Sequence, residues 1–116
     1  MDFFIVEDDK VLSLILSKMV QKIGYEVSGT SEYGSESIKK IKENKPSVIL
    51  MDIALKDQVD GITVASEVTK LYSPAIIYIT GNTDESTRKR AEEFGYHEFL
   101  AKPVDFNQLK SSIMSI

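Results

Sequence analysis

Apolar residues along this chain fall into two patterns: short unbroken runs, and longer stretches in which they recur every three or four positions. Unbroken runs bounded by polar residues read as strands, and the spaced pattern reads as amphipathic helix. The runs predict strands over 3–6, 25–30, 47–51, 75–80 and 97–101. The spaced stretches predict helices over 10–23, 33–43, 62–72, 85–94 and 105–115. The first helix places Leu12, Leu16, Met19, Val20 and Ile23 on one face and stops at Gly24, while Val11 and Leu14 fall off that face. The second carries Ile38 and Ile41 and ends before Pro46, because the residue preceding a proline is pushed away from helix. The third follows the Asp60-Gly61 turn and lines up Ala65, Val68 and Leu71 or Tyr72. The fourth is mostly polar, with Ala91 and Phe94 as its anchors, and the fifth repeats Phe106, Leu109 and Ile113.

Strands one, three and four are continuously apolar, as parallel strands covered on both faces are, whereas Tyr25-Glu26-Val27-Ser28-Gly29-Thr30 mixes in polar residues and reads as an edge. Right-handed crossovers and that edge give a doubly wound, flavodoxin-like α/β sheet in the order 2-1-3-4-5, with helices on both faces. The length, 116 residues with 42% hydrophobic, suits one domain over 1–116. There is no cysteine, so disulfides, thiolate metal sites and thiol nucleophiles are excluded. A net charge of −4 with no basic block argues against direct nucleic-acid binding. No apolar run approaches membrane-span length, and Met1-Asp2 begins no secretory signal, so a cytoplasmic setting is expected.

In such sheets ligands bind beyond the carboxyl ends of the strands, where the winding reverses. Strand one ends in Glu7-Asp8-Asp9, strand three in Asp52, strand four in Thr80 and strand five in Lys102-Pro103. Acids from the two strands flanking the reversal repel one another, by about 4 kcal/mol per pair at 4 Å in a dielectric near 20, and a cation relieves this. Oxygen-only ligands without His or Cys point to a hard ion such as Mg2+. With the charge neutralised, the Asp52 carboxylate is placed to attack a phosphoryl group, with Lys102 as a point charge and Thr80 as a hydroxyl donor. Asp9 also sits where a helix N-cap belongs, and Thr80-Gly81-Asn82 reads equally as a turn.

The motifs Phe4-Ile5-Val6-Glu7-Asp8-Asp9, Val48-Ile49-Leu50-Met51-Asp52, Asp60-Gly61-Ile62, Ile77-Tyr78-Ile79-Thr80-Gly81 and Phe99-Leu100-Ala101-Lys102-Pro103, in this order and spacing, resemble those of a response-regulator receiver domain of two-component or phosphorelay signalling. The resemblance covers essentially the whole chain. It implies that Glu7 and Asp8 hold Mg2+, that Asp52 accepts phosphate from a histidine, and that Thr80 and Lys102 contact the phosphoryl group. It further implies the Ala54 backbone carbonyl as a metal ligand, Phe99 as an aromatic switch and a cis Lys102-Pro103 bond. The implied partners are a histidine kinase or histidine phosphotransfer protein, together with an effector domain or output protein. Val11 and Leu14 form the candidate docking patch for the phosphodonor. The chain departs from the pattern at Lys56, where receivers usually carry proline, and in a loop one residue longer, Leu55-Lys56-Asp57-Gln58-Val59.

The bland reading of Phe99 is half-buried packing on a short edge strand, that of His97 a surface residue, and that of Asp84 to Arg90 a solvated helix face. A competing function is a metal-dependent phosphatase with an aspartyl nucleophile. Repeated turnover in such enzymes calls for a second acid, and Asp52-Ile53-Ala54 offers alanine in that place. A flavodoxin-like cofactor binder is disfavoured, because the first strand leads into acids rather than a glycine-rich phosphate loop.

Overall fold

The structure, a computed structural model, describes residues 1–116. Strands and helices alternate from end to end: β1 Asp2–Val6, α1 Lys10–Ile23, β2 Glu26–Ser31, α2 Gly34–Asn44, β3 Val48–Met51, α3 Gly61–Val68, β4 Ala75–Thr80, α4 Glu85–Glu92, β5 Glu98–Ala101 and α5 Phe106–Met114. The sheet runs β2-β1-β3-β4-β5 with every neighbouring pair parallel, the expected doubly wound flavodoxin-like order. No helix is long and apolar enough to cross a membrane.

Because side chains alternate across a strand, each apolar run feeds two cores. Phe3, Ile5, Val48, Leu50, Ile77 and Ile79 point to one face, where Leu16 and Val20 of α1 and Leu109 and Ile113 of α5 cover them. Phe4, Val6, Ile49, Met51, Ile76 and Tyr78 point to the other, beneath α2, α3 and Ala91 of α4. The mixed pattern of β2 fits its place at the sheet edge.

The expected first helix matches in both bounds. Asp9 is its N-cap, its side chain accepting from the Val11 and Leu12 amides at 2.9 and 3.2 Å, and Gly24 closes it at φ 114°, where L side chains are strained. Most other ends shift by a residue or two. The third helix is the larger departure, since regular helix stops at Val68 rather than at 72. There the Thr69 hydroxyl donates to the Ala65 carbonyl at 2.7 Å, and the Leu71 amide tightens onto Val68 at 3.1 Å. Leu71 is consequently exposed, while the half-buried Tyr72 donates its hydroxyl to the Pro46 carbonyl at 2.9 Å. α4 likewise ends at Glu92, with Phe94 packing from the turn that follows.

Candidate functional site

Glu7 and Asp52 immediately follow β1 and β3, and each carries the sheet's hydrogen bonding one step further. The Glu7 amide donates to the Ser31 carbonyl at 2.9 Å and the Asp52 amide to the Val6 carbonyl at 2.9 Å. Lys102, just past β5, donates its amide to the Thr80 carbonyl at 3.0 Å. The backbone under these side chains is therefore sheet rather than free loop, which fixes where they point. The Lys102–Pro103 peptide is cis, as the motif resemblance implied.

Glu7 is 1% exposed and Asp52 4%. Lys102 Nζ reaches between them, 2.8 Å from Asp52 Oδ2 and 2.9 Å from Glu7 Oε1. The first contact is an aligned hydrogen bond, whereas the second is an ion pair that leaves Glu7 Oε1 without an aligned donor. The remaining oxygens are held by the backbone: Asp52 Oδ1 accepts from the Ile53 amide at 2.7 Å and Glu7 Oε2 from the Asp9 amide at 3.0 Å. One carboxylate oxygen each from Glu7, Asp8 and Asp52 lies within 4.8 Å of the other two.

Three acids thus face one lysine. Burial, reinforced by the neighbouring Asp8 carboxyl, pushes the Glu7 pKa up to about 7. Partial burial of Lys102 works against its charge, but the hydrogen bond to Asp52, the close Glu7 carboxylate and the negative charge of both outweigh it and hold the ammonium above its ordinary value. Oxygen-only donors, excess negative charge and a buried oxygen lacking an aligned partner are together what a hard divalent cation requires.

The structure places the other sequence-predicted residues as follows. Thr80 ends β4, buried, and its hydroxyl accepts from the Asn82 amide at 3.2 Å, which leaves its own proton free to donate. Phe99 stands apart from the acids on edge strand β5. Its ring lies 5.6 Å from Tyr78 and 5.8 Å from Tyr96, with the Arg88 guanidinium 4.9 Å above it. Ala54 is exposed in the loop after Asp52. Val11 and Leu14 are 69% and 57% exposed on α1, and Ile15, which the helical pattern did not single out, joins them at 45%.

Two bland expectations hold, with partners that sequence did not show. His97 lies half-buried at the surface, apart from the acidic cluster, with Nε2 2.9 Å from the Ser112 carbonyl and 2.8 Å from the Ser115 hydroxyl, joining the start of β5 to the end of α5. The charged face of α4 is exposed as expected, and within it Arg88 lies over Phe99 and Arg90 pairs with Asp60 at 3.1 Å.

Sequence reasoning missed the bracing of the 53–60 loop. Asp57 reaches across to α2 and accepts from the Gly34 amide at 2.8 Å, the Ser35 amide at 3.1 Å and the Ser35 hydroxyl at 2.7 Å. The Ser35 hydroxyl, then the amides, hold the Asp57 carboxyl below its ordinary pKa. Lys56 pairs with Glu32 at 2.7 Å. One signal was available: Tyr33, at the α2 N-cap, has no side-chain oxygen that can cap, so the helix start needed an acceptor from elsewhere.

A parallel doubly wound sheet whose carboxyl-end rim gathers buried acids around one lysine defines a class, the flavodoxin-like signalling modules with an acidic phosphoacceptor-type pocket. A family model described as the response regulator receiver domain matches residues 3–114, and the chain belongs to that family. It is a receiver domain of two-component systems, a signalling module rather than an enzyme in its own right, which sets the phosphatase reading aside. Among similar proteins, the chemotaxis protein CheY of Thermotoga maritima is 32% identical, over 97% of this chain and 93% of its own. The probable C4-dicarboxylate response regulator DctR of Halalkalibacterium halodurans is 31% identical over 94% of this chain but only 48% of its own length. The chain spans about half the length of the first curated relatives it matches. In fold, the CheX-CheY-BeF3-Mg2+ complex from Borrelia burgdorferi superposes with a TM-score of 0.92 at 24% identity, covering 99% of this chain and 87% of that one.

Proposed function

We propose that Asp52 receives a phosphoryl group from the phosphohistidine of a sensor kinase or histidine phosphotransfer protein, in a reaction that requires Mg2+. The observation that carries this is the Asp52 carboxylate itself, buried, pinned by Lys102 and the Ile53 amide, and crowded by two acids that a single lysine does not balance. Glu7, Asp8, Asp52 and the Ala54 carbonyl are the ligands for the ion. Bound there, it supplies positive charge to the phosphoryl oxygens. A carboxylate oxygen of Asp52 forms the new O–P bond as the P–N bond to the donor imidazole breaks, and the electron pair of that bond stays on the imidazole nitrogen. Lys102 neutralises phosphoryl charge, and Thr80 turns its free hydroxyl proton toward a phosphoryl oxygen. Movement of Thr80 and Phe99 then shifts α4, whose few buried residues make it easy to displace. The Mg2+ in the Borrelia complex is consistent with this choice of ion.

The test is intact mass after acetyl phosphate treatment: one phosphoryl group gained with Mg2+ and none without it. No gain under either condition would rule the reading out. A second expectation concerns pH. Glu7 is protonated more readily folded than unfolded, so its contribution to stability is full below its ordinary value of 4.5 and is lost as pH rises through about 7. The metal-free chain should therefore lose stability across that window, and added Mg2+ should restore most at the upper end, where Glu7 is ionised. Thermal unfolding against pH, with Mg2+ and with chelator, checks both. A Mg2+ effect equal at both ends of the window would contradict it.

Val11 and Leu14, beside the acidic rim, form the docking patch for the phosphodonor protein. Leu14→Asp should slow transfer from a phosphorylated histidine donor by about 10-fold while leaving acetyl phosphate labelling unchanged. Equal donor rates in parent and variant would remove the patch from the account.

A further inference from the structure

The loop from Ile53 to Asp60 carries no regular structure, yet it is fastened at several points. Leu55 and Val59 pack against the core below, and the Gly61 amide closes the loop on the Ile53 carbonyl at 2.9 Å. Between those apolar anchors, Asp57 turns sideways to α2 and binds two amides and a hydroxyl of its first turn. The fit is close: a Cβ on Gly34 would collide with the Val59 carbonyl. On the rim side, Lys56 is held by Glu32, which also lies 3.7 Å from Lys10 at the start of α1. Loop and helix start therefore form one fixture, and both Lys56 and Asp57 lie in the lengthened loop where the sequence departs from the receiver pattern.

We infer that Asp57 is a positioning residue for the acidic pocket: by capping α2 from outside that helix, it holds the loop bearing the Ala54 carbonyl in place and so sets how tightly the pocket takes a divalent ion. This rests on the ligand set proposed above. A backbone carbonyl on an unstructured loop costs conformational entropy to fix, and a loop fixed beforehand does not incur that cost on binding. Linkage runs both ways, so occupancy of the pocket also tightens the first turn of α2, some twenty residues away in sequence.

The experiment is a Mg2+ titration of the intact 116-residue chain, followed by backbone amide resonances. In the parent, the Gly34 and Ser35 amides should shift with the same midpoint as those of Asp52, Ile53 and Ala54. Asp57→Ala should weaken Mg2+ binding by about 10-fold, the usual scale for losing a group that orients a metal ligand. Asp57→Asn keeps one acceptor oxygen and should recover most of that loss, and it reads the same effect if the alanine variant does not fold. Lys39→Gly, at an exposed interior position of α2, loosens the helix without touching the loop and should leave the midpoint at the parent value. An Asp57→Ala midpoint equal to the parent's, or a Lys39→Gly loss as large as that of Asp57→Ala, would overturn the inference while leaving the pocket's function standing. A parent that shows no saturable Mg2+ response at residues 7, 8 and 52 would instead overturn the reading on which it rests.

Discussion

Asp52→Asn should fold, should be more stable than the parent in the absence of metal, and should take up no phosphoryl group from acetyl phosphate whether or not Mg2+ is present. The loss of labelling follows from chemistry, since an amide oxygen is a far weaker nucleophile than a carboxylate and forms no acyl phosphate. The gain in stability is the less obvious half. Above about pH 7, where Glu7 is ionised, Glu7, Asp8 and Asp52 set three negative charges against the one positive charge of Lys102, and removing one acid lowers the excess from two to one. Asparagine keeps an oxygen for the Ile53 amide, and Lys102 keeps Glu7. It loses the Lys102 hydrogen bond at Asp52, worth roughly 1.5–3 kcal/mol for a charged pair, but it also relieves carboxylate repulsion of a few kcal/mol per close pair. The net gain is on the order of 1 kcal/mol, as is common where function keeps charge crowded. Mass spectrometry and chelator-treated thermal unfolding measure the two halves separately. A labelled variant would move the phosphoacceptor elsewhere, and a variant that melts below the parent would show that Lys102 already balances the pocket.

The positions of the acids were legible in sequence because each ends an apolar run, and in a parallel sheet an apolar run ending in charge marks the rim. Glu7, Asp52, Thr80 and Lys102 stand where that pattern put them, on backbone that still hydrogen-bonds as sheet. What stayed hidden depends on the paths of loops. Nothing local to Asp57 announces a partner 23 residues away, and only the poor cap at Tyr33 hinted that one was needed. Arg88 and Arg90 look like solvent-facing charge in a polar helix, and only the folded chain sets them over Phe99 and against Asp60. The end of α3 was overrun because periodicity continues through Leu71, whereas the Thr69 hydroxyl bonds back to the helix and the chain tightens into a turn.

Gly61 shows the same divide at one residue, and its replacement carries the largest expected loss of stability. Beside Asp60 it reads as an ordinary turn glycine, chosen for conformational freedom. In the structure, Asp60 is instead the N-cap of α3, accepting from the Thr63 amide at 2.8 Å, and Gly61 is the first residue of that helix, buried against the strand end that carries Asp52. A Cβ there would collide with the Asp52 carbonyl and approach Met51 Cγ to 2.9 Å. The Met51 side chain has some room to yield, but the Asp52 backbone has little, being tied to Val6 through the sheet. Alanine gains at most about 1 kcal/mol over glycine from helix propensity, while overpacking against a fixed backbone costs about 3 kcal/mol, so the collision decides the sign. Gly61→Ala should therefore lose about 2 kcal/mol net, and the molecules that do fold should phosphorylate about 100-fold more slowly, because Asp52 is displaced from its partners. Gly81→Ala is the comparison, since a Cβ there meets nothing within 4 Å, and its stability should stay within about 0.5 kcal/mol of the parent. Denaturant unfolding and acetyl phosphate kinetics on the pair separate the two effects. Equal stabilities would mean that Asp52 is held by its side-chain partners alone, without support from the helix packed behind it.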